Sequence, residues 1–414
     1  MLGGSCRRLL GSPLAAAAWL FLSALALQAC GGTVPGPSGP PQATAPATPS
    51  ATAIQPPAPV VPQAPTAPTA AAGKTRIALL LPLSGANAAL GSAMLDAAQM
   101  ALFDVADNAL ELMPHDTQGT PQGAADAAKA ALGEGAKLII GPLIAAEVEA
   151  VKPVAHGAGV PVLAFSTSTQ LAGDGTYLMG FLPQQEIQRV TAFAHAKGVN
   201  RFAVLAPRTA YGEVAVAALR GAVAAQNATL GRIDFYDPAA PDLTAAAKSF
   251  AAGAQDAEAV LLPEGGARLK TLAPLLPYDG IDPAKVHFLG TGLWDEPGLG
   301  TEPSLDGGWY AAPPPASRAD FEKRFADLYH HPPPRLATLA YDATALAAVL
   351  AHGQNGPDLS AQALTNPSGF AGIDGIFRLR PDGLVERGLA VLEVEHDGDK
   401  VIDPAPTTFQ SIGQ

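Results

Sequence analysis

Ser166, Thr167 and Ser168 stand at the end of an apolar run, Val160-Pro161-Val162-Leu163-Ala164-Phe165, where their hydroxyls could donate hydrogen bonds to a carboxylate. They equally suit a turn that satisfies its own backbone, and the residues leave both uses open. Tyr211, in Ala210-Tyr211-Gly212, offers a ring and a phenol to a ligand, or serves as a buried loop tyrosine. Glu264, before Gly265 and Gly266, could meet an ammonium group or cap the helix that follows. Trp294 could close over a crevice or cover the edge of a lobe. His330-His331 precedes three prolines, but adjacent histidines diverge, and no cysteine or spaced His-Glu pair joins them. No metal and no cofactor is therefore expected. A Ser-His-Asp order, paired catalytic carboxylates and a phosphate-cradling glycine loop are not visible. The chemistry on offer is recognition, and the expectation is a non-enzymatic protein with no catalytic residues.

Such residues need elements that bring them to one crevice. Leu138-Ile139-Ile140 and Val160 to Phe165 are short apolar runs flanking a segment of helical composition, the pattern of a β-α-β unit in a fully buried parallel sheet. Ligands of open parallel sheets sit outside the carboxyl ends of the strands, so Gly141 to Ala146 and Ser166 to Gln170 should face one cleft. The same alternation runs on either side. Strands are expected at Arg76–Pro82, Leu110–Asp116, Phe202–Ala206, Ile233–Tyr236, Ala259–Leu262, Val286–Gly290 and Gly308–Ala311. Helices are expected at Leu90–Ala106, Pro121–Leu132 (opened by Thr120), Ile187–Lys197, Val214–Asn227, Leu243–Ala252, Leu269–Leu276, Ala319–Tyr329 and Leu336–Leu350. Gly375–Arg380 and Leu389–Glu395 read as an antiparallel pair turned at Pro381-Asp382-Gly383. Two parallel sets of similar size predict an α/β chain with two Rossmann-like lobes.

The front of the chain has another character. Arg7 and Arg8 precede an uncharged apolar run from Leu9 to Leu27, followed by Gln28-Ala29-Cys30, which reads as a secretory signal over residues 1–29. A cysteine directly after the small residue resembles a bacterial lipobox, which implies lipidation of Cys30. The other cysteine, Cys6, would leave with the signal, so the domain behind has no thiol for a disulfide, a metal or a nucleophile. Residues 31–73 carry no charge and are dominated by Pro, Ala, Thr and Gln. They predict an extended tether that spans on the order of 130 Å when stretched. Without Arg7 and Arg8 the chain has 23 basic and 37 acidic residues, a formal net charge of −14. That repels nucleic acid and anionic lipid surfaces, so no nucleic-acid partner is expected.

The motifs Leu79-Leu80-Leu81-Pro82-Leu83-Ser84-Gly85, His115-Asp116-Thr117-Gln118, Ile140-Gly141-Pro142-Leu143, Val160 to Ser166, Ala210-Tyr211-Gly212, Phe288-Leu289-Gly290 and Tyr341-Asp342-Ala343 occur in a telling order. With them the chain resembles the type I periplasmic-binding fold in its leucine-binding-protein branch, over residues 74–400. The resemblance implies two lobes joined by three crossings, near Leu182, Ala311 and Gly372, with a central cleft. Lobe 1 is then about 74–182 and 312–372, lobe 2 about 183–311 and 373–400, and 401–414 is a C-terminal tail. It also implies ligand contacts at Ser84, Ser166, Thr167, Ser168, Tyr211, Glu264 and Trp294.

Amino-acid receptors of this branch hold the ligand's ammonium with a carboxylate in the loop after the strand written here Phe288-Leu289-Gly290. This chain has Thr291-Gly292-Leu293-Trp294 there, so Asp295 or Glu264 would have to replace it. Receptor hydroxyls after Gly141 are likewise replaced by Ala145 and Ala146. The lipobox, the tether and these departures look most like lipoprotein activators of penicillin-binding proteins (LpoA-type), anchored to the outer membrane and facing the periplasm. The partner would then be a peptidoglycan synthase. The alternative is the substrate-binding component of an ABC transporter for branched-chain amino acids or related small molecules, with an ABC permease as partner.

Overall fold

The computed structural model describes residues 73–105, 109–353, 356–396 and 398–409. The expected signal segment, Cys30 and the tether as far as residue 72 lie outside the described residues, as do residues 410–414 of the expected tail. Among the described residues no helix is long and apolar enough to cross a membrane.

A strand that is apolar at every position must be covered on both faces, and β1 (Thr75–Leu81) is buried throughout from Ile77 to Leu81. After it come α1 (Ala88–Val105), β2 (Leu110–Asp116), α2 (Pro121–Gly133), β3 (Leu138–Ile140), α3 (Ala145–Gly157), β4 (Val162–Ala164) and β5 (Thr176–Leu178). The strands form one wholly parallel sheet, ordered β2-β1-β3-β4-β5. Ile77, Leu79 and Leu81 face Met94 and Ala98 of α1, while Ala78 and Leu80 face Ala124 and Ala128 of α2 and Val148 and Val151 of α3. α2 starts as the sequence predicts: Thr120 Oγ1 accepts the Gly123 N–H at 3.1 Å, and Pro121 takes the first helical position.

The second lobe follows with α4 (Pro183–Ala196), β6 (Arg201–Pro207), α5 (Ala210–Ala225), β7 (Thr229–Tyr236), α6 (Thr244–Gly253), β8 (Ala259–Leu261), α7 (Gly266–Leu272), α8 (Leu275–Tyr278), β9 (His287–Gly290) and β10 (Trp309–Ala312). α4 begins a turn ahead of the expected Ile187, because proline is well placed at a first helical position; Glu186 thereby enters its first turn. The single helix expected over 269–276 is two short ones. Pro274, which cannot donate a backbone hydrogen bond inside a helix, separates them.

α9 (Pro315–Tyr329) and α10 (Ala337–Ala351) return to the first lobe, where Leu339, Ala343 and Ala347 of α10 complete the core over β1. Beyond α11 (Ala361–Leu364), the strands β11 (Phe370–Gly372), β12 (Gly375–Leu379) and β13 (Val385–Arg387) form a small antiparallel sheet. Its Phe377, Leu379 and Val385 also enter the first-lobe core. β14 (Ala390–Glu395) and β15 (Gly398–Asp403) then join the second sheet, ordered β15-β14-β10-β9-β8-β6-β7.

The chain therefore passes between lobes three times, at residues 179–182, 313–314 and 388–389. The third passage differs from the position expected near Gly372. The turn after Arg380 does make a hairpin, but β12 pairs with β13, not with Leu389–Glu395. Ala390, Val391, Leu392 and Val394 are fully buried, so that run belongs between β10 and β15 inside a covered sheet. A small exposed ribbon could not bury both of its faces.

Candidate functional site

A cavity of about 550 Å³ lies between the lobes at the carboxyl ends of the strands. From the first lobe it is lined by Leu143 after β3, by Phe165, Ser166, Thr167 and Ser168 after β4, by Phe181 in the first passage, and by Arg335 and Leu336 before α10. From the second it receives Glu186 in the first turn of α4, Tyr211 in the first turn of α5, and Gly292, Leu293, Asp295 and Glu296 after β9. Phenyl and leucyl side chains give it an apolar body, and hydroxyls and carboxyls give it polar points.

Four of the seven ligand contacts implied by the sequence line this cavity: Ser166, Thr167, Ser168 and Tyr211. Ser166 serves its own turn, its Oγ accepting the Ser168 N–H at 3.1 Å, which leaves the hydroxyl hydrogen to give elsewhere. Tyr211 donates its hydroxyl to Thr291 Oγ1 at 2.8 Å, and burial pushes its phenol well above the usual range. Its oxygen can still accept a hydrogen bond.

Three expected contacts are placed elsewhere. Ser84 is exposed in the loop after β1; its N–H and that of Leu83 donate to Asp116 Oδ1 at 3.2 and 2.9 Å, tying that loop to the end of β2. Glu264 accepts the Tyr236 hydroxyl and the Gly265 N–H, away from the cavity lining. The capping of α7 falls instead to Glu296, which accepts the Gly266 N–H at 2.8 Å. Trp294 is fully buried in the second-lobe core, where its indole N–H donates to the Leu262 carbonyl at 3.2 Å. The ring lies so close under β9 that a Cβ on Gly290 would come within 2.1 Å of it.

Of the two carboxylates weighed as the missing counter-charge, Asp295 is in the cavity wall but already engaged. Arg318 of α9 grips both of its oxygens, Nη1 to Oδ2 at 2.9 Å and Nη2 to Oδ1, and Arg335 Nε adds a bond to Oδ2 at 2.8 Å. Arg318 is on α9 and Arg335 just precedes α10, both of the first lobe, so this cluster ties the lobes together. Arg335 continues inward to Asp374, 2.9 Å away and fully buried. Its guanidinium and that of Arg387 lie 4.3 and 4.9 Å from the centroid of the Phe181 ring. Burial, followed by the nearby Asp374 charge, raises the Asp342 carboxyl behind them above the usual carboxylate range.

Glu186 is the cavity carboxyl that sequence reasoning missed. An acidic residue in the first turn of a helix reads as ordinary dipole compensation, and nothing in its neighbours marks it out. It is 3% exposed, and its Oε2 accepts the Gly292 N–H at 2.8 Å. The approach requires glycine, since a Cβ on residue 292 would sit 2.5 Å from Oε1. Burial pushes this carboxyl up to about 7, against the Gly292 hydrogen bond and the charge of Arg335. Arg335 and Phe181 were missed for the same reason: a lone arginine after a proline run and a phenylalanine in a crossing carry no pattern.

A family model described as periplasmic binding protein matches residues 74–399. Among solved structures, an ABC transporter substrate-binding protein from Sphaerobacter thermophilus is 19% identical with a TM-score of 0.70, covering 81% of this chain and 98% of its own. A branched-chain amino acid transporter substrate-binding protein from Streptococcus pneumoniae, in complex with isoleucine, is 17% identical with a TM-score of 0.60, covering 80% and 100%. An ABC transporter solute-binding protein from Rhodopseudomonas palustris, in complex with benzoate, is 18% identical with a TM-score of 0.61, covering 81% and 98%. No curated protein sequence matches the chain.

Proposed function

This chain belongs to the periplasmic binding protein family, in its leucine-binding type, and on that footing we propose that it captures a small organic solute for an ABC importer. Its partner is an ABC permease, its place the periplasm, and its action binding without turnover. What supports this above all is the cavity between the lobes, apolar along Leu143, Phe165, Phe181 and Leu293 and polar at Ser166, Thr167, Ser168 and Tyr211. Branched-chain amino acids and small aromatic acids are the ligand classes of this shape, in keeping with the isoleucine and benzoate held by two of its structural relatives.

A thermal-shift series with isoleucine, leucine and benzoate tests the reading. A ligand at about a hundred times its dissociation constant adds ~2.7 kcal/mol of stability, which appears as a raised melting temperature. No shift with any of the three removes the transport reading.

A second reading, a lipid-anchored activator of a penicillin-binding protein, is favoured by Cys30 and the uncharged segment 31–73. The arginine cluster on Asp295 adds to it, because a scaffold gains from lobes held in one relation. Capture of a peptidoglycan synthase by the full chain, with no melting shift from any small solute, would establish that reading instead.

A further inference from the structure

Glu186 combines four properties that no other cavity residue shares. It is almost fully buried, it lines the space between the lobes, its Oε2 is held by a backbone N–H, and its Oε1 receives no hydrogen bond from any described residue. An oxygen without a protein donor in a cavity wall is free to take one from a ligand, and the bond is strongest when the carboxyl is ionised. Asp295, by contrast, has both oxygens bonded by guanidinium groups, and Glu296 caps α7.

We propose that Glu186 is a ligand-recognition residue: its Oε1 accepts a hydrogen bond from a primary ammonium group that enters the cleft. This rests on the cleft being a ligand site, as argued above, and within the classes named there it favours solutes that carry a primary ammonium over plain carboxylic acids. The carboxylate lies on the first helix of the second lobe, not in the loop after β9 where the family resemblance puts it.

Recognition is coupled to a proton. With burial holding the Glu186 carboxyl at about 7, a large share of empty molecules carry it neutral near that pH. When the ammonium binds, the carboxyl proton passes to solvent buffer, and the carboxylate that remains accepts the ammonium N–H. The charged and titratable groups facing Glu186 are Arg335 before α10, Asp295 after β9, Arg387 of β13 and Tyr211 of α5. Arg335 and Arg387 favour its ionised form and Asp295 opposes it; Tyr211, raised by its own burial, stays neutral through this range.

The test uses the full chain and two halves of leucine: 3-methylbutylamine, which has the ammonium and the isobutyl group, and 4-methylpentanoate, which has the carboxylate instead. The amine stays charged up to about pH 9, since alkylammonium groups titrate near 10.4, so any pH dependence below that belongs to the protein. The amine should raise the melting temperature, and its affinity should rise by up to about tenfold per pH unit below pH 7 and level off above it. Calorimetry in two buffers of different ionisation enthalpy should record proton release on binding to the unaltered chain. Glu186→Gln should lose both the pH dependence and about tenfold or more of the amine's affinity, while leaving 4-methylpentanoate unaffected or improved.

An amine that causes no shift, that binds without proton release, or that binds Glu186→Gln equally well overturns the proposal. If 4-methylpentanoate or benzoate nevertheless binds, the transport reading survives that failure. If nothing binds, both fall together.

Discussion

At the junction of the lobes Asp295 takes three hydrogen bonds from two arginines, whereas on the second-lobe wall Glu186 takes one, from a backbone N–H, and keeps an oxygen unbonded. The two carboxyls are both buried and line the same cavity. They differ in what has been spent. Asp295 is committed to the junction of the lobes, its charge balanced by two guanidinium groups and three of its roughly four acceptor sites filled. Glu186 is held in position by the one contact that glycine at 292 permits, and retains the means to bond something further. A carboxyl's presence in a cleft is thus a poor guide to recognition until its partners are counted.

The contrast can be broken from either side. Asp295→Ala leaves the half-buried Arg318 and Arg335 without their shared partner, though each keeps another carboxylate, and should cost about 2–3 kcal/mol in urea unfolding. If the loss is under about 1 kcal/mol, the cluster is not holding the lobes and the distinction fails.

The next effect is read through pH. Burial pushes the Glu186 carboxyl up to about 7 and raises the Asp342 carboxyl in the same direction, so the folded chain binds protons that the unfolded chain has released. Stability should be greatest below about pH 4 in this respect and should fall as pH rises towards 7, at up to about 1.4 kcal/mol per pH unit for each isolated group. Glu186→Gln should therefore match the parent at pH 5 and exceed it at pH 8 in melting temperature. Equal difference at both pH values would mean that the carboxyl does not titrate in this window.

A smaller change is expected on the same second-lobe wall as Glu186. Tyr211→Phe removes the bond to Thr291 and should cost about 1 kcal/mol, with a several-fold loss of solute affinity by calorimetry. The smallest belongs to a pair outside the junction altogether. Arg76 and Glu111 are 49% and 45% exposed, and Arg76→Ala should change stability by no more than about 1 kcal/mol, less still at high salt. A larger loss would mean that stability here does not follow burial.

The parallel strands and their helices were legible because apolar runs and helical spacing report burial directly. Thr120 and Pro121 even fixed where α2 begins. What local pattern could not settle was partnership at long range. Whether Leu389–Glu395 pairs with β12 or with β10 depends on which face of which lobe is still uncovered, and the sequence holds that information only globally. The hydroxyl run 166–168 was legible because it ends a strand in an open parallel sheet. Trp294 was not, since a tryptophan beside a cleft and one wedged beneath its floor look identical until the approach of β9 is known. Glu186 shows the converse: a residue with a dull local role acquires a particular one only because a glycine more than a hundred residues later comes to meet it.

The late return of α10 bears on how the molecule is made. The first-lobe sheet is begun by β1 at Thr75–Leu81, yet the helix that seals one of its faces lies at Ala337–Ala351. During synthesis at about 5–20 residues per second, that face waits on the order of 13–50 s for its cover. Through that interval Ile77, Leu79 and Leu81 have α1 but not α10 against them, and strands left half covered are prone to pair with other chains. A nascent chain of this design benefits from a chaperone that keeps it extended until the ribosome has delivered its last third.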